Sequence, residues 1–320
     1  MKAIRVHHFG GPEVLIFEEV PDPIPAAGQV TVQVKAAGVN PVDTYIRAGS
    51  YLNLPTLPYT PGSDAAGIVA AVGKGIRDLE VGAHVYLGGT LCGAYAETAL
   101  GRRDQVRLLP DQVSFEQGAG IHVPYATAYR ALFQLGHAKA GERVLIHGAS
   151  GGVGLAAIQW ARSAGLFVIG TAGTEAGMRL VLEEGAHQAI NHTTVGHLDQ
   201  VASLTEGNGA DLIVEMLANV NLGRDLKALG RHGRVMVVGS RGDVSITPRD
   251  LMGREASIRG VQLGQASAEE VQEIDRKIAE GLSRGTLQPR IAARFPLSEA
   301  AEGHRQILRS GSLGKIVLLP

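Results

Sequence analysis

Residues 144–154, VLIHGASGGVG, constrain this chain more than any other stretch, because a short apolar run turns through glycines into a segment of small residues. Val144, Leu145 and Ile146 have the texture of a parallel strand covered on both faces, and residues 153–164 read as a helix able to pack closely on it. Gly151, Gly152 and Gly154 let backbone N–H groups approach an anion with no Cβ in the way, and the helix N-terminus behind them carries partial positive charge. Strand, turn and helix together form a cradle for a pyrophosphate. Ala149 stands at the first glycine position of the fingerprint G-x-G-x-x-G, so the loop reads A-x-G-x-x-G; by itself the same turn also serves as a ligand-free strand–helix junction.

The surroundings favour the ligand-binding reading. Strands are expected at 167–171, 188–191, 211–216 and 234–239, with helices at 175–184, 197–205 and 221–229 between them. Short apolar strands alternating with helices imply a parallel sheet with right-handed crossovers, a Rossmann-type doubly wound domain over residues 125–264. The segment ahead of it differs. Val30, Val32 and Val34 alternate with Thr31 and Gln33, and turn signals recur at 10–12, 26–28 and 58–62, as in a mostly β domain. After Gly260 a helix is expected at 269–281, with Val271, Ile274, Ile278 and Leu282 on one stripe and Ser267 with Glu270 as a capping box. A strand at 291–295, a helix at 298–309 and a strand at 315–319 follow. Because the parallel sheet is complete by Val261, residues 265–320 are assigned to the N-terminal domain, 1–124. The fold class is α/β, a Rossmann domain with a second, mostly β domain.

At 320 residues the chain is long enough for two cores, and 45% hydrophobic residues with a net charge of −1 describe an ordinary globular protein without a nucleic-acid-like basic excess. No apolar run approaches a membrane span and MKAIRVHHFGG lacks a signal-peptide core, so the cytoplasm is the expected setting. Cys92 is the single cysteine, which excludes an internal disulfide; with no basic neighbour in TLCGAY it reads as a small core residue rather than a reactive thiol.

Five motifs occur in order: Gly38-Val39-Asn40-Pro41, PYTPGSDAAGIVAAVG (58–73), PYATAYRAL (124–132), HGASGGVG (147–154) and EMLANVNL (215–222). This succession resembles the zinc-free quinone oxidoreductases of the medium-chain dehydrogenase/reductase superfamily, the zeta-crystallin branch above all, and it spans essentially the whole chain. The resemblance implies a GroES-like catalytic domain built from both termini, closing on the Rossmann domain across a cleft for NADPH and substrate, in a homodimer or homotetramer. Cofactor contacts are implied at Thr127, Ser150, Gly151, Gly152, Val153, Gly154, Gly173, Thr174, Arg179, His192, Asn219, Val238, Gly239 and Ser240. No metal is expected. Zinc-dependent members of the superfamily carry a cysteine ligand where this chain has Asn40, and Gly-His-Glu where it has Gly62-Ser63-Asp64; one cysteine cannot build a four-thiolate structural site.

Without a Lewis acid, the natural acceptor is one that delocalises the charge left by hydride addition, a quinone or an enone. Its oxygen still needs donors. Asn40 and Tyr45 are the candidates that match the family, Tyr45 being favoured; the residues alone also allow Asn40 to cap a turn and Tyr45 to pack in the core. Tyr51, Tyr59 and Tyr125 are candidates for an aromatic pocket. NAD-specific sites put a carboxylate at the end of the second strand to bind the ribose 2′-hydroxyl. Here that end reads Gly170-Thr171-Ala172-Gly173-Thr174, with Glu175 beyond it and Arg179 and His192 as cationic partners for a 2′-phosphate, which favours NADPH. The competing readings are an enoyl or 2-alkenal reductase, and a non-enzymatic NADPH-binding structural or RNA-binding protein. No RNP-like aromatic strand or basic cluster supports RNA.

Overall fold

The computed structural model describes all 320 residues, which cluster into two compact units. One comprises Met1–Val123, Pro289–Ser310 and Gly314–Pro320; the other comprises Pro124–Gln288 and Gly311–Leu313.

The first unit is built on β1 (Lys2–Arg5), β2 (Ile16–Glu19), β3 (Gln29–Val39), β4 (Asp64–Val72), β5 (His84–Gly88), β6 (Thr98–Arg102) and β7 (Val106–Leu108), joined by the C-terminal β14 (Ile291–Pro296) and β15 (Lys315–Leu319). Seven of these form one sheet in the order β14-β15-β3-β4-β5-β7, with β6 also on β3. β3 is its spine. Val30, Val32 and Val34 are buried and Gln33 is exposed, as read from sequence, but Thr31 is buried as well, at 3% exposure, so the alternation holds on one side of the strand only in part. Helices α1 (Pro41–Arg47), α2 (Phe115–Gly118) and α10 (Ala300–Ile307) belong to this unit, and α3 (His122–Tyr129) leads out of it.

The second unit carries β8 (Arg143–Ile146), β9 (Phe167–Ala172), β10 (Gln188–Asn191), β11 (Ala210–Glu215), β12 (Leu229–Val237) and β13 (Ser257–Gly260). They pair in parallel throughout, in the order β10-β9-β8-β11-β12-β13. Counted from β8 this is the doubly wound order 3-2-1-4-5-6, whose ligand crevice opens at the carboxyl ends of the strands where the order reverses, between β8 and β11. The intervening helices are α4 (Gly152–Ser163), α5 (Glu175–Glu183), α6 (Asp199–Leu204), α7 (Ala218–Ala228) and α8 (Pro248–Met252). Leu145, Ile169 and Ile213 lie fully buried in the core of this sheet, each contributing about 1.5–3 kcal/mol by leaving water.

The tail departs from expectation at one element. Helix α9 (Ala268–Ser283), opened by the predicted Ser267–Glu270 capping box, clusters with the Rossmann unit, so the return to the β-rich unit comes at Pro289 and not at residue 265. The cause is side-chain chemistry that sheet counting overlooks. The Tyr129 hydroxyl donates to Glu273 Oε1 (3.1 Å), Gln134 Nε2 donates to Glu273 Oε2 (2.9 Å), and Arg130 pairs with Glu270 (2.8 Å), which pins α9 to the helical stretch after α3.

Candidate active site

In the Rossmann unit β8 runs into His147 and the glycine turn, and α4 starts at Gly152 with Gly151 in the N-cap position. The first-turn N–H groups of that helix have no intrahelical acceptor and face the end where an anion is stabilised. Gly154 is required by contact: a Cβ there would stand 2.5 Å from the Gly148 carbonyl oxygen and 2.6 Å from Ala149 Cα. The turn is held to β9, Gly148 N–H donating to Thr171 Oγ1 (3.2 Å) and Ala149 N–H to the Thr171 carbonyl (2.8 Å). This turn, with the first-turn N–H groups of α4 at its end, fits a dinucleotide pyrophosphate.

The carboxyl end of β9 carries no acid. Thr174 caps α5 by accepting from Gly177 N–H (3.0 Å), and Glu175 projects into solvent one turn from Arg179, its ion-pair partner at 3.7 Å. His192 follows β10 directly, within 3.5 Å of Thr171 Oγ1, its ring over Gly173, where a Cβ would meet Nε2 at 2.6 Å. Desolvation, with the neighbouring His197 and His147, pushes the His192 imidazole below its usual range, so its surroundings disfavour the cation expected of it. Beyond β12, Ser240 Oγ accepts from Asn219 N–H (3.2 Å) and Asn219 Oδ1 from Arg241 N–H (2.9 Å), which ties Val238, Gly239 and Ser240 to the start of α7. Thr127 is buried on α3.

One group of side chains in this unit has metal-capable spacing. His147, Glu215 and Asp225 are buried with donor atoms within 4.8 Å of one another. His147 Nε2 lies 2.9 Å from Asp225 Oδ1, a hydrogen bond, and 3.4 Å from Glu215 Oε2, which has no hydrogen-bond partner. Burial pushes the Glu215 carboxyl up to about 7, whereas at Asp225 the His147 hydrogen bond and charge outweigh burial and hold it below the usual range.

The other candidate residues lie in the β-rich unit. Asn40 occupies the N-cap position of α1 and is 3% exposed. Its backbone N–H donates to Asp43 Oδ2 (2.8 Å), but its amide turns elsewhere: Nδ2 donates to Asp64 Oδ2 (3.0 Å) and Oδ1 accepts from Lys315 Nζ (2.6 Å). Lys315 also donates to Asp64 Oδ2 (2.9 Å), and Asp64 Oδ1 accepts from Val123 N–H (3.1 Å). The turn-capping reading thus holds for the position and fails for the side chain. Asp43 continues inward, Oδ2 accepting from the Tyr95 hydroxyl (3.2 Å), which in turn lies 3.1 Å from His304. Burial raises the Asp43 carboxyl to about 7 and drives His304 down to about 3. Tyr45 stands on α1, half-buried, a turn beyond Asn40.

A cavity of about 690 Å³ opens in this unit, walled by Arg5, Val42, Asp43, Ile46, Tyr59 and Cys92 among others. Of the predicted pocket tyrosines it gathers Tyr59 alone, whose buried hydroxyl has no hydrogen-bond partner and is pushed up to about 12, chiefly by burial. Tyr51 and Tyr45 lie outside its lining. Tyr125 is corrected: it is 2% exposed inside the Rossmann unit, with its hydroxyl donating to Gln159 Oε1 (2.8 Å) and its carbonyl accepting from Trp160 Nε1 (3.1 Å). Cys92 is half-buried in the cavity wall and not a core residue; burial raises its thiol, which leaves it unreactive.

Comparison with known proteins agrees with this two-part build. Residues 26–149 match the family model of the alcohol dehydrogenase GroES-like domain, and residues 152–280 that of the zinc-binding dehydrogenases. The human protein named quinone oxidoreductase is 50% identical over 321 aligned positions, covering 100% of this chain and 98% of its own. The chain belongs to the quinone oxidoreductases of the medium-chain dehydrogenase/reductase superfamily. Among solved structures, the Escherichia coli quinone oxidoreductase complexed with NADPH superposes with a TM-score of 0.90 at 31% identity over 100% of both chains. A structure described as an NAD-dependent alcohol dehydrogenase gives 0.93 at 30% identity, also over 100% of both. Within the family, Lys315, Asp43, Tyr95 and His304 are parts of this chain's polar core that sequence reasoning missed. Lys315 merely opens the apolar strand KIVLL, and nothing local announces a partner 275 positions away.

Proposed function

We propose that this chain reduces quinones with NADPH and without a metal, using Asn40 and Tyr45 as hydrogen-bond donors to the acceptor oxygen. The observation that carries the reading is the Asn40 amide, oriented by two ionic neighbours so that one Nδ2 hydrogen remains without a protein partner. When bound, NADPH supplies a hydride; with one proton from water the quinone becomes a hydroquinone. The glycine turn and α4 would hold the pyrophosphate, and the carboxylate-free end of β9, with Arg179 nearby, supports a 2′-phosphate. Donors set for a developing phenolate lower the barrier because they need no reorganisation as charge appears. The cavity walled in part by Tyr59 falls in the size range of small-ligand sites. In this reading Tyr51 belongs to the substrate side, outside the lining of that cavity, and Thr127, Asn219, Val238, Gly239 and Ser240 to the cofactor side. No helix is long and apolar enough to cross a membrane; a cytoplasmic homodimer or homotetramer is part of the proposal.

Steady-state rates with 1,4-naphthoquinone and with an α,β-unsaturated ketone, each with NADPH and NADH, test it. The expected result is faster quinone turnover and a preference for NADPH. A chain that reduces the enone and ignores the quinone is a 2-alkenal reductase instead, and one that reduces neither sinks the proposal.

A further inference from the structure

Asn40 and Lys315 meet because of sheet register. β15 runs antiparallel to β3 with Ile316 opposite Val39, which sets Lys315 across from Asn40, and on the other side of β3 Gly38 lies opposite Asp64. Gly38 makes the meeting sterically feasible. A Cβ there would stand 2.7 Å from Lys315 Cε and 3.0 Å from Asp64 Cβ, so the lysine crosses β3 over the one residue without a side chain. The three polar groups are then enclosed, Asn40 at 3%, Lys315 at 4% and Asp64 at 0% exposure.

Their chemistry admits one arrangement. An ammonium only donates and a carboxylate only accepts, so Lys315 requires the amide oxygen and Asp64 requires the amide nitrogen. An unconstrained asparagine offers either end to a ligand; this one cannot turn over without facing Nδ2 to an ammonium and Oδ1 to a carboxylate. The ammonium at Oδ1 also polarises the amide and makes its remaining N–H a stronger donor. Asp64 balances the buried charge and, through Val123 N–H, has both oxygens occupied.

We propose that Lys315, with Asp64, is a positioning residue for quinone reduction: it locks and polarises the Asn40 amide so that a donor, never an acceptor, meets the oxygen that receives charge. The inference rests on the proposed role of Asn40. It explains why a buried lysine sits in the C-terminal strand of the sheet. Lys315 acts through Asn40 and touches neither substrate nor cofactor.

The test is a double-mutant cycle in the full-length protein, with kcat for 1,4-naphthoquinone and the Kd for NADPH as readouts. Lys315→Met in the native background is expected to lower kcat roughly tenfold to a hundredfold and leave the Kd for NADPH within about twofold. In an Asn40→Ala background the same change is expected to do almost nothing. Lys315→Arg, which keeps the donor and the charge, is expected to recover most of the rate. Because Lys315→Met leaves Asp64 buried and unpaired, the paired variant Lys315→Met/Asp64→Leu removes both charges together and keeps the interior neutral. It is expected to fold with the same loss of kcat. Equal losses in the two backgrounds would overturn the inference, as would a folded paired variant with native kcat. If Asn40→Ala itself turns over normally, the role of Asn40 falls and this inference falls with it; if Asn40→Ala is slow and the paired variant is fast, only this inference falls.

Discussion

The two units build their polar sites in opposite ways. The Rossmann unit presents backbone: a glycine turn, a helix N-terminus and strand ends, contributed by residues 147–154 and by the turns after β9 and β12, with few side chains held in place. The β-rich unit presents side chains from three distant parts of the chain, Asn40, Asp64 and Lys315, enclosed with Asp43, Tyr95 and His304 in a continuous buried network. A site made of backbone needs only a local conformation and is insensitive to most substitutions except those that add bulk. One made of buried side chains depends on long-range register and on protonation, and each member leaves an unpaired group when removed.

That contrast breaks first at Tyr45. Tyr45→Phe should lower kcat for a quinone by roughly tenfold to a thousandfold, least for the most electron-poor acceptors, with the Kd for NADPH unchanged. If NADPH binding weakens along with turnover, the division of labour between the units is wrong.

Next in size is a pH effect confined to the β-rich network. Burial raises the Asp43 carboxyl from its ordinary value to about 7, so the folded protein holds a proton there that the unfolded chain has released. Above the unfolded value the folded state therefore loses stability as pH climbs, until Asp43 is ionised in both states. Asp43→Asn removes this dependence and should gain stability over the native chain by about 2 kcal/mol between pH 5 and pH 8, measured by urea unfolding. A parallel pH profile for the two proteins would show that Asp43 is ionised throughout.

Bulk at the backbone site comes third. Gly154→Ala should weaken NADPH binding roughly tenfold to a hundredfold through strain of about 1–3 kcal/mol in the turn, while urea unfolding of the β-rich unit stays as it was. Smaller still, Arg179→Ala should narrow the preference for NADPH over NADH by a few-fold, since Arg179 is exposed and screened and already shared with Glu175. Identical Kd values for the two cofactors in the native chain would remove the 2′-phosphate from the argument. Exhaustive chelation is expected to change nothing, because Asn40 and Asp64 already satisfy each other and Lys315. Activity lost to a chelator and restored only by zinc would contradict the whole reading of that site.

The same contrast governs what could be read in advance. The parallel strands, the glycine turn, the capping box at Ser267 and the burial of Val30, Val32 and Val34 are local patterns with local causes, and the structure carries each of them, although β12 begins at Leu229, ahead of the expected 234, and Thr31 is buried with the valines. Tyr125 was misread because a tyrosine in a motif says nothing about which way its ring turns; packing against Trp160 and Gln159 decided that. Helix α9 was misplaced because a complete sheet does not complete a unit, and hydrogen bonds from Tyr129 and Gln134 reach it across 144 and 136 or more positions.

Sequence by itself determined the α/β class, the alternation of strands and helices along the chain, the phosphate-binding turn and the missing carboxylate after β9, since each follows from side-chain size, periodicity or the lack of a Cβ. Tertiary structure alone decided the electrostatics. That Asn40 is locked between an ammonium and a carboxylate, that Asp43 titrates near neutrality and that Tyr59 keeps an unpartnered hydroxyl all depend on which distant groups share a low-dielectric interior, and only the pairing of β3 with β4 and β15 brings the first of these together.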